Sequence, residues 1–225
     1  MKKIIFFPAL FVLFLYPLLP AEGGGPQMGQ RPLAASRSNL GCLKADIIVI
    51  SDWSSSIVGF EDFIRDAIYS FVDGLVLSED GLKIGLVTFS DSAVIEQHLT
   101  SNQSKALETI FDLRSKKGSG LTDMQEALEQ SILEFSSRRE HGCGRQYADK
   151  IAIIISDGDP QFKDDVYRLS QEAQLELGMR IFTVLISGPA YVNEDFLKSI
   201  SSEDSYFKTD YEGLKSLLEQ LDLCL

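Results

Sequence analysis

From Ala45 onward the chain alternates two hydrophobic rhythms. Ala45-Asp-Ile-Ile-Val-Ile-Ser51 is a nearly unbroken run of β-branched residues, the pattern of a strand buried on both faces. Ile57, Phe60, Ile64, Ile68, Phe71 and Leu75 then recur at spacings of three and four, which is one stripe of a helix. Gly81 to Phe89 reads as a second strand. Ala93 to Leu99, where Ile95 and Leu99 alternate with Glu96 and His98, reads as a half-exposed edge strand. Helices are expected over Lys105–Leu113 and Thr122–Phe135, and a buried strand over Ile151–Ser156. A further helix should run from about Asp164 to a stop at Gly178. Met179–Ile186 is another strand. A short helix near Asp195–Ile200, a weak strand at Tyr206-Phe207 and a last helix over Tyr211–Leu221 complete the pattern.

Strands alternating with helices require right-handed crossovers. The expected fold is therefore α/β and doubly wound. Its mostly parallel central sheet has about six strands, one of them an antiparallel edge strand, with helices on both faces. Ligands of such sheets bind beyond the carboxyl ends of the strands, so chemistry should be sought just after each buried strand.

Three segments meet that condition. Asp52-Trp-Ser54-Ser-Ser56 follows the first strand, Ser156-Asp157-Gly158 follows the Ile151 strand, and Gly118-Ser-Gly-Leu-Thr122 is a glycine-rich loop that opens a helix. Each alone is commonplace, because Ser and Asp cap helices and Gly-rich stretches make turns. At one edge of one sheet they offer two carboxylates and three hydroxyls, from Asp52, Ser54, Ser56, Thr122 and Asp157. Oxygen donors without His or Cys suit Mg²⁺, Mn²⁺ or Ca²⁺ and are poor for zinc.

Asp52-x-Ser54-x-Ser56, Thr122 followed by Ala127-Leu128, and Asp157-Gly158 resemble the metal-ion-dependent adhesion site of the von Willebrand factor A domain. The resemblance runs from Cys42 to Cys224. It includes Lys83-Ile-Gly-Leu-Val-Thr-Phe-Ser-Asp91, like the family's second strand and its exit, and Arg180-Ile-Phe-Thr-Val, like its fifth strand. Ser55 stands where the family often has glycine. The resemblance implies an intact site of the extracellular-matrix, collagen-VI or matrilin type, which binds Mg²⁺ (or Mn²⁺ or Ca²⁺). Hydroxyls like those of Ser54, Ser56 and Thr122 touch the ion directly, while carboxylates like Asp52 and Asp157 act through water. The ion then accepts a Glu or Asp of a matrix or cell-surface protein partner. Trp53, Ser55, Asp159 and Tyr191 are the expected rim. Trp53 either meets the partner or packs beneath the loop, and Asp159 is expected to be a solvated loop carboxylate. The loops Gln161–Lys163 and Gly188–Asn193 flank the same rim.

Composition narrows the field. Of 225 residues, 44% are hydrophobic and 24% charged, which excludes a disordered or fibrous polymer. A net charge of −12 argues against nucleic acid and anionic membranes as partners. Lys2 and Lys3 precede an uncharged apolar run from Ile4 to Pro20 that ends at Ala21. That is the make-up of a secretory signal peptide, and Pro8, Pro17 and Pro20 would break a membrane helix there. The expected organisation is a signal peptide over residues 1–21, a flexible Gly/Pro/Ser-rich leader over 22–41 and one domain over 42–225. The product is expected to be secreted, with no membrane span once the signal is cleaved.

An oxidising compartment allows the three cysteines at most one internal bridge. Cys42 precedes the first strand and Cys224 follows the last helix, both at the face away from the metal. They are expected to pair, as the chain ends do in many extracellular A domains. Cys143 is left as a free thiol, a link to another chain or a competitor for Cys42. Asn102-Gln-Ser104 is an N-glycosylation sequon on an expected surface loop. A secreted adhesion module is the leading expectation, and a disulfide-linked structural subunit with a stabilising metal is the alternative. An enzyme is disfavoured, since no P-loop appears and His98 and His141 fall away from the crevice.

Overall fold

The computed structural model describes residues 44–136, 144–157, 159–187 and 193–221. The segments expected to be a signal peptide and leader, the three cysteines, His141, Gly158 and Tyr191 lie outside the described residues.

The first element, β1 (Ala45–Asp52), is buried at every position. A 3₁₀ turn over Ser55–Ile57 leads into α1 (Glu61–Asp73), then β2 (Leu82–Phe89) and β3 (Ala93–Thr100). Next come α2 (Gln103–Asp112), a 3₁₀ turn over Leu113–Ser115, α3 (Met124–Phe135), β4 (Asp149–Ser156) and α4 (Lys163–Leu177). The chain closes with β5 (Met179–Ile186), α5 (Glu194–Ile200), β6 (Tyr206–Thr209) and α6 (Tyr211–Gln220). The six strands lie in the order β3-β2-β1-β4-β5-β6. All pairings are parallel except that of β3 with β2. The expected fold class is what the chain adopts.

Alternation along β1 divides the core in two. Ile47 and Val49 join α1, α2 and α6 on one face, and Ile48 and Ile50 join α3, α4 and α5 on the other. Covering both faces is what permits a strand with no polar side. Edge strand β3 has a partly exposed pattern, and its register with β2 shifts near Leu86.

Helix starts differ from the hydrophobic stripe where backbone chemistry intervenes. Ile57 belongs to the 3₁₀ turn rather than to α1, because Gly59 at φ +91 breaks the helical path before Glu61. Asp123 caps α3 by accepting from Glu126 N, so Thr122 stays in the loop instead of entering the helix. Asn102, the sequon residue, is exposed and caps α2 by accepting from Lys105 N at 3.0 Å. Gly178 ends α4 in the left-handed conformation, as expected.

At the end of the sheet where the parallel strands begin, buried Asp46 accepts from Arg145 N at 2.6 Å and from Arg145 Nε at 2.8 Å. The rest of the guanidinium donates to the carbonyls of Ala45, Glu79 and Gly81. This staple ties the start of β1 to the segments that lead into β2 and β4. The opposite end is left to the loops that carry the oxygen donors.

Candidate metal centre

Parallel pairing sets Ser51 opposite Ile155, so the exits of β1 and β4 stand side by side. Asp52, the last residue of β1, turns its carboxylate back onto its own loop: Oδ1 accepts from Ser54 N at 2.8 Å. Its Oδ2 accepts from Ser156 Oγ on β4 at 2.6 Å. Ser56 Oγ donates to Asp157 Oδ1 at 2.6 Å and lies 2.9 Å from Ser54 Oγ. With the Ser56 proton directed at a carboxylate, Ser54 is the donor between the two hydroxyls. Tyr211 OH, on α6, donates to Asp157 Oδ2 at 2.6 Å. Four of the five expected ligands therefore form one hydrogen-bonded cluster.

The fifth is brought near by its loop. Ser55 N donates to Gly120 O, Ser119 N to Trp53 O, and Asp123 N to Ser90 O. Thr122 O accepts from Gln161 N at 3.0 Å, so the threonine sits between the glycine loop and the segment after β4. Its half-buried side chain makes no hydrogen bond to the cluster. Two glycines allow this packing: a Cβ on Gly118 would lie 2.8 Å from Ser54 O, and one on Gly120 (φ +77) would strike the Asp91 carboxylate. Buried Glu61 braces the loop by accepting from Gly118 N and Gly59 N. Burial pushes its carboxyl up, but the backbone N–H donors outweigh that and hold it below the ordinary range.

Electrostatics favour a cation here. Asp52 and Asp157 are fully buried, and neither has a Lys or Arg partner among the described residues. Burial pushes the Asp52 carboxyl up to about 6, against its hydrogen bonds from Ser156 and Ser54 and with a further push from Asp157. Burial and the adjoining Asp157 also raise the Tyr211 phenol, which keeps it a donor. Two buried carboxylates with hydroxyls within 2.9 Å make a donor set that a hard divalent ion fits. Among the described residues no group of three His, Cys, Asp or Glu could hold a metal, so the hydroxyls are indispensable to such a site.

At the rim, Trp53 takes the second of its two expected forms and Asp159 differs from expectation. Trp53 is 1% exposed and belongs to the core on the α1 face, with its backbone N–H fixed to Phe89 O at 2.7 Å. It continues the inward alternation of β1 and cannot meet a partner. Asp159 is half-buried rather than solvated: Oδ2 pairs with Lys163 at 2.5 Å and Oδ1 is buried without a partner among the described residues. Ser55 is exposed, as a rim residue should be. His98 pairs with Glu134 on α3 and joins no part of the cluster.

Sequence reasoning names Ser156 without giving it a role, and misses Glu61 and Tyr211. Ser156 is recoverable from strand register, since the residue after Ile155 must face Asp52. Glu61 and Tyr211 each open a helix, and no local pattern marks them.

A doubly wound α/β domain with an oxygen-donor cluster at the carboxyl edge of its sheet is a ligand-binding class of fold. Residues 46–220 match the von Willebrand factor type A domain, and the chain belongs to that family. The collagen alpha-4(VI) chain of Mus musculus is 28% identical over 189 residues, 80% of this chain and 8% of that one. The collagen alpha-6(VI) chain of Homo sapiens is 27% identical over 149 residues, 64% of this chain and 6% of that one. The chain thus spans a small fraction of these relatives. Proximal thread matrix protein 1 from the mussel byssus has a similar fold, with TM-score 0.66, 23% identity, and coverage of 80% of this chain and 45% of that one. The same mussel protein with a zinc-occupied MIDAS motif gives 0.65 at 23% identity, covering 80% and 45%. The manganese-loaded TRAP protein of Plasmodium vivax gives 0.62 at 20%, covering 78% and 72%.

Proposed function

We propose that this chain is a secreted, matrix-type adhesion module that captures an acidic residue of a protein partner through a divalent cation, Mg²⁺, Mn²⁺ or Ca²⁺. The observation that carries the reading is the buried pair Asp52 and Asp157, hydrogen-bonded to Ser54, Ser56, Ser156 and Tyr211 and lacking a basic partner among the described residues. Similarity to collagen VI chains supports a matrix setting, and the metal-loaded A domains named above support a metal-using edge.

When bound, the ion supplies an electrophilic point for a partner's Glu or Asp. Ser54, Ser56 and Thr122 are the residues that would hold it, with Asp52 and Asp157 behind them. The hydroxyls bring no formal charge. Both oxygens of each carboxylate are already engaged by protein donors, which restrains them from moving forward and neutralising the ion. The hydroxyls that would touch the ion thus leave it without a charged direct ligand, and an incoming acid supplies one. The hydroxyls and carboxylates at this edge are held to one another as a donor set for an ion, and binding is the function assigned.

The test is capture from a matrix extract by the immobilised protein, in Mg²⁺ and in EDTA, with Asp157→Ala alongside. Capture that needs Mg²⁺ and is lost in the variant is the expected result. Equal capture in EDTA would overturn the proposal.

A further inference from the structure

Large apolar side chains exposed beside a polar site are candidates for partner contact, because water-facing apolar area in a soluble domain is otherwise kept scattered. Two such residues flank Thr122. Leu121 precedes it and is 57% exposed, and Phe162 is also 57% exposed. They come from loops far apart in sequence, joined where Gln161 N donates to Thr122 O at 3.0 Å. Phe162 is therefore one residue from that bond on one strand of chain, and Leu121 one residue from it on the other.

Neither residue is positioned casually. Leu121 is fixed through its backbone N–H, which donates to Asp91 Oδ1 at 2.8 Å. Phe162 has φ 51 and ψ 44, a left-handed conformation that a bulky side chain adopts only at a cost and when its surroundings impose it. Its carbonyl accepts from Asp165 N and Val166 N, which anchors the strained residue to the first turn of α4.

We infer that Leu121 and Phe162 form an apolar shelf beside the cation site, and that it selects partner segments in which the acidic residue stands next to a large apolar one. This rests on the cation-dependent reading above and adds the chemistry of the partner. Charge argues for the same partner from the other side. Asp91 accepts from Leu121 N, and Asp123 follows two residues after Leu121. Asp164 and Asp165 follow Phe162 in the first turn of α4, Lys163 between them and Phe162 is paired with Asp159, and the chain as a whole carries −12. A run of acids would be repelled by these neighbours. A single carboxylate flanked by leucine, isoleucine or an aromatic residue meets the ion with its charge and the shelf with its neighbour.

The experiment is selection of a displayed random-peptide library on the full chain in Mg²⁺, followed by elution with EDTA. Selected peptides are then titrated against Leu121→Ser, Phe162→Gly and a control, Leu175→Ser. Glycine suits the left-handed backbone at 162, and Leu175 is an exposed leucine near the far end of α4. A Mg²⁺-dependent rise in melting temperature in all three variants checks that the ion still binds. The expected result is EDTA-released peptides with one Asp or Glu beside a large apolar residue. The shelf variants should bind them roughly tenfold to a hundredfold more weakly, and Leu175→Ser should bind as the parent does. Released peptides with acids in any setting, bound equally by all variants, would overturn the shelf and leave the cation reading intact. A selection with no EDTA-released peptide would overturn the cation reading and the shelf with it.

Discussion

Tyr211 OH lies 2.6 Å from Asp157 Oδ2, joining the first residue of the last helix to the carboxylate at the exit of β4. The same ring stacks on Phe60 at 4.0 Å between centroids, just ahead of α1. One side chain thus connects the candidate site to the seam between α1 and α6. Removing only the hydroxyl in Tyr211→Phe leaves the stack in place and frees Asp157 Oδ2. A buried hydrogen bond to a charged group contributes about 1.5–3 kcal/mol, so urea denaturation of the metal-free variant should show a loss of that order. With its restraint gone, Asp157 should hold the cation more tightly and the partner less tightly, read by metal titration and by capture side by side.

The raised Asp52 carboxyl gives the metal-free protein a distinctive pH response. Its folded value is about 6 against an ordinary 3.8, so the folded state binds more protons than the unfolded one between those values. The contribution of Asp52 is therefore fully present below about pH 3.8 and is lost as pH rises through 6. Ionised Asp52 is a liability at pH 7, of order 3 kcal/mol, which a bound cation removes. In EDTA, Asp52→Asn should remove this downward slope between pH 4 and 7 from the stability curve. Stabilisation by Mg²⁺ should be larger at pH 7 than at pH 5 in the parent protein. Equal Mg²⁺ effects at the two pH values would contradict this account.

Much of this site is legible in the amino-acid sequence, for a physical reason. Strands buried on both faces announce themselves as runs such as Ile47 to Ile50, and a doubly wound sheet dictates which ends carry ligands. Asp52, Ser54, Ser56 and Asp157 follow from that placement, and they meet. The burial of Trp53 does not follow, because it depends on the alternation of β1 persisting one residue past the strand. The start of α1 is obscured for a different reason. Ile57 and Phe60 continue the apolar stripe, while the positive φ of Gly59 separates Ile57 from the helix that opens at Glu61. Tyr211 is out of reach because its partner is 54 residues away, and nothing in the spacing of α6 distinguishes that tyrosine from any other core residue.

The glycine loop should tolerate no side chain at two places. In Gly118→Ala the new methyl would lie 2.8 Å from a backbone carbonyl, that of Ser54, so the metal loop itself must shift. Gly120→Ala combines a clash at Asp91 with a φ of +77. Each substitution should destabilise by about 1–3 kcal/mol. Gly118→Ala should weaken Mg²⁺ binding more than its stability loss accounts for, because it displaces the loop that carries Ser54 and Ser56. Calorimetric titration with MgCl₂ of the still-folded variant checks this.

Arg145 and Asp46 lie at the other end of the sheet and supply the contrasting case. Asp46 is fully buried, and Arg145 is its partner through both N and Nε. Arg145→Met leaves the Nε contact unmade and the carboxylate buried without a counter-charge, a change that typically costs about 3–5 kcal/mol. The same substitution strands the carbonyls of Ala45, Glu79 and Gly81, which lose their guanidinium donors. The double variant Asp46→Asn with Arg145→Met removes the stranded charge and should recover part of the loss. Denaturant midpoints of the two single variants and the double variant measure the coupling. Because the staple is separated from the oxygen cluster by the length of β1, any of these proteins that remains folded should keep the parent's Mg²⁺-induced rise in melting temperature. Loss of that rise in a folded Arg145→Met protein would mean that the two ends of the sheet are mechanically coupled.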